Sequence, residues 1–156
     1  MKFPFLDTHC HLDMLSNPEK QILKAKARGV RKIIVPAIEP SNFETVKNLA
    51  HKFEGIYYSV GIHPCRVNNT GNDGLLLLQN FLTNNINDPK LIAVGEIGLD
   101  FFLKERDTLK MEHFFCKQLF IAKNFHLPVL LHIRKSQDLV LKYFKKSGVA
   151  AGIAHA

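Results

Sequence analysis

The sequence predicts an α/β fold built on a parallel sheet, and within that class a (β/α)8 TIM-type barrel. Short apolar runs alternate with segments of helical spacing along the 156 residues, as in β/α repeats. Polar residues follow several of these runs, where barrels and open α/β sheets both place their chemistry. No Gly-X-Gly-X-X-Gly follows the first run, which disfavours an open dinucleotide-binding sheet. Six strands are predicted, so about six of the eight units of a barrel are expected.

Each strand is predicted from a short apolar run, because the strands of a parallel sheet are covered on both faces. The run at 32–37 is nearly continuous, and the run at 56–60 is rich in aromatic and β-branched residues, which favour strands. The predicted strands are the start of 6–13, then 32–37, 56–60, 91–94, 127–132 and 149–154.

The helices are predicted from caps and from the spacing of apolar residues. Asn17-Pro18 is a cap followed by a proline at the first helical position, and Gly29 is suited to end that helix. Ser41 to Glu44 has the Ser-X-X-Glu form of a capping box. The apolar stripe that starts at Met111 is expected to pack in the core. The predicted helices cover about 18–28, 43–53, the stretch after Asp73 that includes 75–78, 111–122 and 136–146.

The composition predicts a single folded domain over residues 1–156. Hydrophobic residues make up 46% of the chain and charged residues 22%, which argues against disorder. Lysine and arginine outnumber aspartate and glutamate by 21 to 14, which is a net charge of +7. This balance favours an anionic partner such as nucleic acid or a phosphorylated metabolite, although a generally basic surface explains it equally well.

Cysteine usage and hydropathy predict a cytoplasmic protein that does not enter a membrane. Cys10, Cys65 and Cys116 are odd in number and far apart, which fits a reducing compartment better than a disulfide framework. No apolar run is long enough for a signal peptide or for a membrane span. The sequence gives no sign of an obligate protein partner.

Five residues that can bind metal are expected to meet at one end of the sheet. His9 and His11 stand two apart in the first predicted strand, so their side chains should point to the same face. Glu96 lies at the end of the fourth strand, where a buried carboxylate requires a cation or hydrogen bonds. His132 and His155 each follow an apolar strand. Any one of these histidines alone is better explained as a core or rim residue, but the set suits Zn²⁺, Mn²⁺, Ni²⁺ or Mg²⁺.

Five motifs occur in order along the chain and carry a specific family resemblance. They are Asp7-Thr8-His9-Cys10-His11-Leu12-Asp13, Val60-Gly61-Ile62-His63-Pro64, Gly95-Glu96-Ile97-Gly98-Leu99-Asp100, Pro128-Val129-Leu130-Leu131-His132-Ile133-Arg134 and Gly152-Ile153-Ala154-His155-Ala156. With these motifs, the sequence resembles the TatD-type metal-dependent deoxyribonucleases of the amidohydrolase-like hydrolases. The resemblance implies a (β/α)8 barrel that hydrolyses DNA, often from the 3′ ends of single strands.

The resemblance also implies a centre with two divalent cations. His9, His11 and Glu96 would hold one cation. Glu96, His132 and His155 would hold the other. Mg²⁺, Mn²⁺, Zn²⁺ and Ni²⁺ all suit such ligands, and a centre of this kind activates water for attack on a phosphodiester.

Three residues are implied to take part in catalysis. Glu96 is the shared metal ligand. His63 and Arg134 lie on family motifs near the pocket, where they would contact phosphate. Asp100 closes the motif that contains Glu96, and its expected role is structural.

The sequence departs from the family pattern at its end. The family has a further metal-binding aspartate at the end of strand eight, whereas this sequence stops at Ala156, one residue beyond the strand-six histidine. We therefore expect a truncated chain or an interrupted coding sequence, in which the activity of the chain without that aspartate is undetermined. The apolar first and sixth strands would then be unpaired edges that favour association.

Two other functions are compatible with the sequence. The same ligands could serve a hydrolase of a small ester, amide or phosphoester, because a fold and its metals do not fix the substrate. The chain could also be a shortened, inactive remnant that binds metal or nucleic acid through its basic face. A catalytic triad is disfavoured, because Ser59, Ser136 and Ser147 lie in no Gly-X-Ser-X-Gly turn. No aromatic spacing indicates a platform on which bases stack.

Overall fold

In the part of the chain that the structure describes, six parallel strands form one sheet, and each strand is hydrogen-bonded to the next one along the chain. The structure, a computed structural model, describes residues 4–71 and 73–155, so Ala156 of the last motif lies outside the described residues. The strands are β1 (Phe5–Asp7), β2 (Val30–Pro36), β3 (Ile56–Val60), β4 (Leu91–Asp100), β5 (Val129–Arg134) and β6 (Gly152–His155). Their parallel order confirms the predicted α/β class.

Helices connect successive strands. They are α1 (Pro18–Ala27), α2 (Phe43–Lys52), α3 (Gly74–Asn85), α4 (Thr108–Asn124) and α5 (Gln137–Ser147). The predicted start of the first helix is confirmed, because Asn17 Oδ1 accepts a hydrogen bond from the backbone N–H of Lys20 at 2.9 Å and Pro18 follows the cap. Within the described part of the chain, no helix combines the length and the apolar character needed to cross a membrane.

The sheet is strongly curved. Neighbouring strands lie about 4.8 Å apart, so β1 and β6 would be separated by about 24 Å in a flat sheet. The imidazole centroids of His9, just beyond β1, and His155, at the end of β6, are nevertheless only 3.8 Å apart. The six strands therefore curl into part of a barrel, with these two side chains on its concave face. This curvature confirms the TIM-like architecture.

Alternating side chains of the strands pack into two apolar clusters. Ile33 and Val35 of β2 belong to the larger cluster, which also contains buried residues of all five helices. The smaller cluster contains Ile34, Ala93 and Leu130. Since Ile34 alternates with Ile33 and Val35, it points to the opposite, concave face. Leu130 stands two residues before the candidate histidine of β5, so this cluster forms an apolar floor beneath the candidate ligands.

The fourth strand is longer than predicted. It continues through the Gly-Glu-Ile-Gly-Leu-Asp motif, because Ile97 to Asp100 pair with β5 after an irregularity in register. Glu96 therefore lies within β4, four residues before its end. A Cβ atom at Gly98 would collide with the backbone oxygen of His132 on β5, so glycine allows the two strands to approach closely there.

The last two strands begin later than predicted. The predicted ranges 127–132 and 149–154 are observed at 129–134 and 152–155. Pro128 has no N–H group for the ladder, although its carbonyl accepts a hydrogen bond from the N–H of Val94 at 2.9 Å. Val149 is buried in the larger core cluster before β6 begins. The strands were predicted to start too early because apolar residues that pack in the core precede each of them.

The predicted capping box at Ser41 is wrong. Ser41 is exposed and lies inside a short 3₁₀ helix, Pro40–Asn42, which precedes α2. Asn42 bonds the free N–H groups instead, since its Oδ1 accepts from the backbone N–H of Ile38 at 3.1 Å and of Glu39 at 3.3 Å. Because the 3₁₀ turn precedes α2, the N–H groups that are capped are those of Ile38 and Glu39, whereas the Ser-X-X-Glu pattern assumes that they follow Ser41.

Asp88, in the loop between α3 and β4, is expected to stabilise the fold in a pH-dependent way. Its Oδ2 lies 2.8 Å from both the Tyr58 hydroxyl and Nε2 of His51, and its Oδ1 accepts from the N–H of Lys90 at 2.9 Å. Burial raises the pKa of Asp88, but these hydrogen bonds outweigh burial and lower the pKa overall. Because the pKa is lower in the folded state, this stabilisation is present above the unfolded value of about 3.9 and is lost as the pH falls further.

We expect Asp88→Ala to lower the free energy of unfolding by about 1 to 2 kcal/mol near neutral pH, and by less at about pH 3. Urea unfolding at both pH values measures the change. Glu54→Ala, which removes an exposed carboxylate, is the control. An equal loss at the two pH values would contradict the assignment to the ionised form of Asp88.

Candidate metal centre

Glu96 lies at the centre of the candidate site, with imidazole nitrogens around its carboxylate. The residue is 1% exposed. Its Oε1 lies 2.6 Å from Nε2 of His155, 2.9 Å from Nδ1 of His132 and 3.3 Å from Nε2 of His63. These histidines belong to β6, to β5 and to the loop after β3. The curvature of the sheet thus brings three distant parts of the chain to one carboxylate oxygen.

The second carboxylate oxygen faces a different pair of imidazoles. Oε2 of Glu96 lies 3.2 Å from Nε2 of His9 and 3.3 Å from Nε2 of His11, and these two nitrogens are 3.1 Å apart. Despite these contacts, Oε2 is buried and has no hydrogen bond of acceptable geometry. Such an oxygen is costly to bury, and a cation between it and the imidazole nitrogens would satisfy it. The donor set therefore fits a divalent metal.

The prediction that His9 and His11 lie in the first strand is wrong. β1 ends at Asp7, and the pair lies in the loop that follows. Asp7 Oδ1 accepts a hydrogen bond from the N–H of His9 at 3.1 Å, and the N–H of Cys10 donates to the carbonyl of Ile34 in β2 at 3.1 Å. These two bonds fix the loop, and the imidazoles meet edge-on with centroids 4.9 Å apart.

Burial and mutual contact set the charges in the cluster. Burial raises the pKa of Glu96, but the surrounding imidazoles, led by His11, outweigh burial and hold that pKa far below its usual range. Contact with Glu96 raises the pKa of His11 in spite of burial. Burial lowers the pKa of His132, but its contacts with Glu96 and Asp100 raise it overall. For His63 the effect of burial prevails, and its pKa is lowered. At neutral pH, Glu96 is therefore anionic and His63 is uncharged.

Asp100 contacts the cluster, although the sequence pointed only to a structural role. It is buried at the end of β4, and its Oδ2 lies 3.2 Å from Nε2 of His132. A proton on that Nε2, donated to Asp100, would leave the lone pair of Nδ1 free to bind a cation beside Glu96, whose Oε1 lies 2.9 Å away. The other oxygen, Oδ1, accepts a hydrogen bond from the N–H of Phe102 at 2.9 Å. Asp100 thus holds the loop after β4 and also orients His132.

His63 is held by its own loop and by α4. Its Nδ1 accepts a hydrogen bond from the N–H of Cys65 at 3.0 Å, so the neutral ring carries its proton on Nε2. Gln118 of α4 is buried and binds both backbone groups of Ile62, with 2.7 Å to the N–H and 3.1 Å to the carbonyl. Sequence reasoning missed Gln118, because a glutamine within an apolar helical stripe carries no signal of its contacts.

Arg134 ends β5 outside the cluster around Glu96. It is exposed, and its guanidinium carbon lies 3.8 Å from the ring centroid of Phe102. The structure brings the other candidate site residues together at one carboxylate. They are His9, His11, His63, Glu96, His132 and His155.

The possible ligand atoms can be grouped in two ways. Mutual distances within 4.8 Å group His9 with His155 and His63 with His132, each pair sharing Glu96. The nearest carboxylate oxygen groups the ligands differently, with His9 and His11 on Oε2 and the remaining imidazoles on Oε1. The two groupings differ in the partner of His9, which is His155 by mutual distance and His11 by the nearest carboxylate oxygen.

The whole candidate site lies in a region that matches a known protein family. The family described as TatD related DNase matches residues 6–156. The chain belongs to the TatD related DNase family. The family resemblance drawn from the five motifs is therefore confirmed.

Relatives of this TatD chain carry hydrolase and nuclease names. It is 36% identical over 155 residues to the uncharacterized metal-dependent hydrolase YjjV of Escherichia coli, and the match covers 97% of this chain and 59% of that protein. It is 30% identical over 147 residues to the deoxyribonuclease Tat-D of Schizosaccharomyces pombe, which covers 86% and 46%. It is 28% identical over 116 residues to the 3′-5′ ssDNA/RNA exonuclease TatD of Cronobacter sakazakii, which covers 74% and 43%. The chain thus spans between 43% and 59% of the length of these relatives.

The fold of the TatD chain matches that of a solved homologue. The crystal structure of YjjV, a TatD homologue from Escherichia coli, superposes with a TM-score of 0.90 at 35% identity. The match covers 97% of this chain and 60% of that chain. The TIM-like arrangement of strands and helices therefore agrees with that of a known TatD protein.

Proposed function

We propose that this TatD chain provides the metal centre of a hydrolase that cleaves phosphodiester bonds of DNA, in which Glu96 would be shared by two divalent cations. The observation that carries the proposal is that the two oxygens of one buried carboxylate face different sets of imidazoles. A shared carboxylate suits a two-metal hydrolase. Relatives named deoxyribonuclease and 3′-5′ ssDNA/RNA exonuclease, together with the net charge of +7, support a nucleic acid substrate.

The proposed ligands divide between the two carboxylate oxygens. His9 and His11 would share one cation with Oε2, and His132 and His155 would share the other with Oε1. Mg²⁺, Mn²⁺, Zn²⁺ and Ni²⁺ fit this donor set. When bound, such ions supply hydroxide at neutral pH and stabilise the charge on the phosphate. Glu96 can serve both sides because its pKa is held far below its usual range, so it stays anionic.

His63 and Arg134 are proposed to bind the phosphate. Nδ1 of His63 already accepts a hydrogen bond from the N–H of Cys65, so its own N–H is at Nε2, which lies 3.3 Å from Oε1 of Glu96. A cation bound at Oε1 would free this N–H for a phosphate or leaving oxygen. Burial lowers the pKa of His63, so it donates this hydrogen bond as a neutral group. Arg134 is exposed at the end of β5 and provides a positive charge for a phosphate of the strand.

Incubation of the chain with single-stranded DNA tests the proposal. We expect the release of nucleotides from a 3′-labelled oligonucleotide in the presence of Mn²⁺ or Mg²⁺, and no release after a chelator is added. Small esters, amides and phosphoesters are assayed in parallel. Turnover of a small substrate without DNA cleavage would contradict the nuclease proposal, and so would salt-sensitive DNA binding without any metal-dependent cleavage.

Replacing Asp100 by alanine is expected to weaken metal binding by about 10- to 100-fold. The carboxylate keeps the proton of His132 on Nε2, so its loss frees the ring to rotate or to change tautomer. Asp100→Asn should lose less, since the amide oxygen can still accept that hydrogen bond. Isothermal titration with Mn²⁺ measures the affinity, with the exposed Asp138→Ala as the control. An unchanged affinity in Asp100→Ala would contradict the orienting role.

A further inference from the structure

An exposed aromatic ring with two cations beside it lies next to the candidate metal centre. Phe102, in the loop after β4, is 51% exposed. The guanidinium carbon of Arg134 lies 3.8 Å from its ring centroid, and Nζ of Lys135 lies 4.8 Å from it. Both cationic residues are exposed. Arg134 therefore stacks on part of the ring, and the remainder of the ring is open to solvent. These three residues, which we call the Phe102 platform, combine this open aromatic surface with two positive charges.

The Phe102 platform is tied to the metal centre by hydrogen bonds. The N–H of Phe102 donates to Oδ1 of Asp100 at 2.9 Å, and Oδ2 of the same carboxylate lies 3.2 Å from His132. The N–H of Phe101 donates to the carbonyl of Arg134 at 2.9 Å. Phe102 therefore lies two residues after Asp100, which orients His132, and Arg134 lies two residues after His132 on β5. The platform therefore borders the candidate metal centre.

The backbone at Lys135 is held in a conformation that non-glycine residues rarely adopt. Its φ is 54°, which lies in the left-handed region. The next residue, Ser136, is buried, and its hydroxyl donates to the carbonyl of Leu99 in β4 at 2.7 Å. This bond secures the turn after β5. Backbone conformations of this kind cluster at binding sites, and here the turn places the ammonium of Lys135 near the Phe102 ring.

We propose that the Phe102 platform binds single-stranded DNA, with a base stacked on the Phe102 ring and neighbouring phosphates paired with Arg134 and Lys135. This proposal rests on the proposed function, since it positions the strand whose phosphodiester is cut at the adjacent centre. An unpaired base offers a free face to the ring, whereas a base inside a duplex is already stacked on both sides. The platform therefore favours single strands, and it tolerates any sequence because every base has a π-face.

Binding of two fluorescent probes tests the role of the ring. One probe is an oligothymidine of about eight nucleotides, and the other is an abasic deoxyribose-phosphate strand of the same length and charge. Anisotropy is measured with a chelator present, so that no cleavage occurs. Phe102→Ala is expected to weaken binding of oligothymidine by about 5- to 150-fold, with little change for the abasic strand. Phe102→Trp should retain the affinity. The control, Phe120→Ala, removes a ring of α4 that is 59% exposed and should change neither affinity.

The two cations are tested with the same probes. Arg134→Gln and Lys135→Gln should each weaken the binding of both probes, because phosphate contacts do not depend on the base. Each substitution should also reduce the slope of log affinity against log salt by about 0.7. An unchanged salt slope in both variants would overturn the pairing of these residues with phosphates.

Three results would overturn the platform. The first is an unchanged affinity of Phe102→Ala for oligothymidine. The second is an equal loss of affinity for both probes, which indicates that the ring only supports its loop. The third is that the unsubstituted chain binds neither probe. Because binding is measured without metal, failure of the proposed function is a separate result. A chain that shows the expected binding pattern but no hydrolysis supports the platform and contradicts the nuclease proposal. A chain that cleaves DNA equally well with and without the Phe102 ring, and whose affinity for oligothymidine does not depend on that ring, supports the nuclease proposal and contradicts the platform.

Discussion

Replacing Glu96 by glutamine is expected to remove metal binding on both sides of the side chain and to lower DNA hydrolysis at least about 100-fold. The amide has nearly the same size as the carboxylate, but it has one oxygen in place of two and no negative charge. Glu96 is 1% exposed, and imidazole nitrogens lie within 3.3 Å of its oxygens on both sides. Solvent therefore has little room to supply the missing ligand. The oligonucleotide assay with Mn²⁺ measures the change.

The matched control for this substitution is Glu19→Gln, at an exposed position in α1. It should leave hydrolysis unchanged. Circular dichroism and urea unfolding of Glu96→Gln show whether the fold is intact. Metal-dependent hydrolysis at an undiminished rate in a folded Glu96→Gln variant would contradict the role of Glu96 as the shared ligand.

Replacing Gln118 by leucine is expected to lower the free energy of unfolding by about 2 to 4 kcal/mol. The Gln118 amide is 1% exposed and satisfies both the N–H and the carbonyl of Ile62. Leucine fills a similar volume, so the main loss comes from two buried backbone groups that are left without partners. Because Ile62 directly precedes His63, we also expect hydrolysis to fall. Urea unfolding measures the stability.

Gln79→Leu, at an exposed position of α3, is the control for Gln118→Leu. It changes the same chemical groups on the surface of a helix, where water can replace the amide, and should alter stability by no more than about 0.5 kcal/mol. If Gln118→Leu unfolds at the same urea concentration as the unsubstituted chain, the two hydrogen bonds to Ile62 do not hold the loop in place.

The order of the elements could be predicted from the sequence, but the ends of several strands could not. Burial on both faces makes each strand a short apolar run, and this pattern survives in any structure of the class. The end of a strand depends on pairing, which the run does not show. Val149 is apolar because it packs in the core ahead of β6. Ile97 to Asp100 extend β4 because they pair with β5, although glycines interrupt the run.

The candidate ligands were identified from the sequence, partly for a reason that the structure corrects. His9 and His11 meet at Glu96 because bonds from Asp7 and Cys10 shape a loop, and strand geometry plays no part. The contacts of Gln118 depend on how α4 packs against the loop after β3, which no local pattern contains.

The neighbourhood of Phe102 was also beyond prediction. The sequence showed no aromatic spacing that indicates a stacking platform. The structure places Arg134, at the end of β5, and Lys135, in the turn that follows, beside the exposed ring of Phe102. Neighbouring strands in a parallel sheet are joined by a crossover helix, so the residues that meet at their ends are far apart in sequence. The platform is therefore a property of the strand order, and a search for local aromatic patterns could not find it.

Calorimetric titration of the chain with Mn²⁺, compared with Glu96→Ala, tests most directly whether Glu96 bridges two cations. We predict that the unsubstituted chain binds two cations and that Glu96→Ala loses both, because each oxygen of the carboxylate would serve one of them in the proposed centre. Binding of a single cation by the unsubstituted chain, or of two cations with unchanged affinity by Glu96→Ala, would contradict a shared two-metal centre.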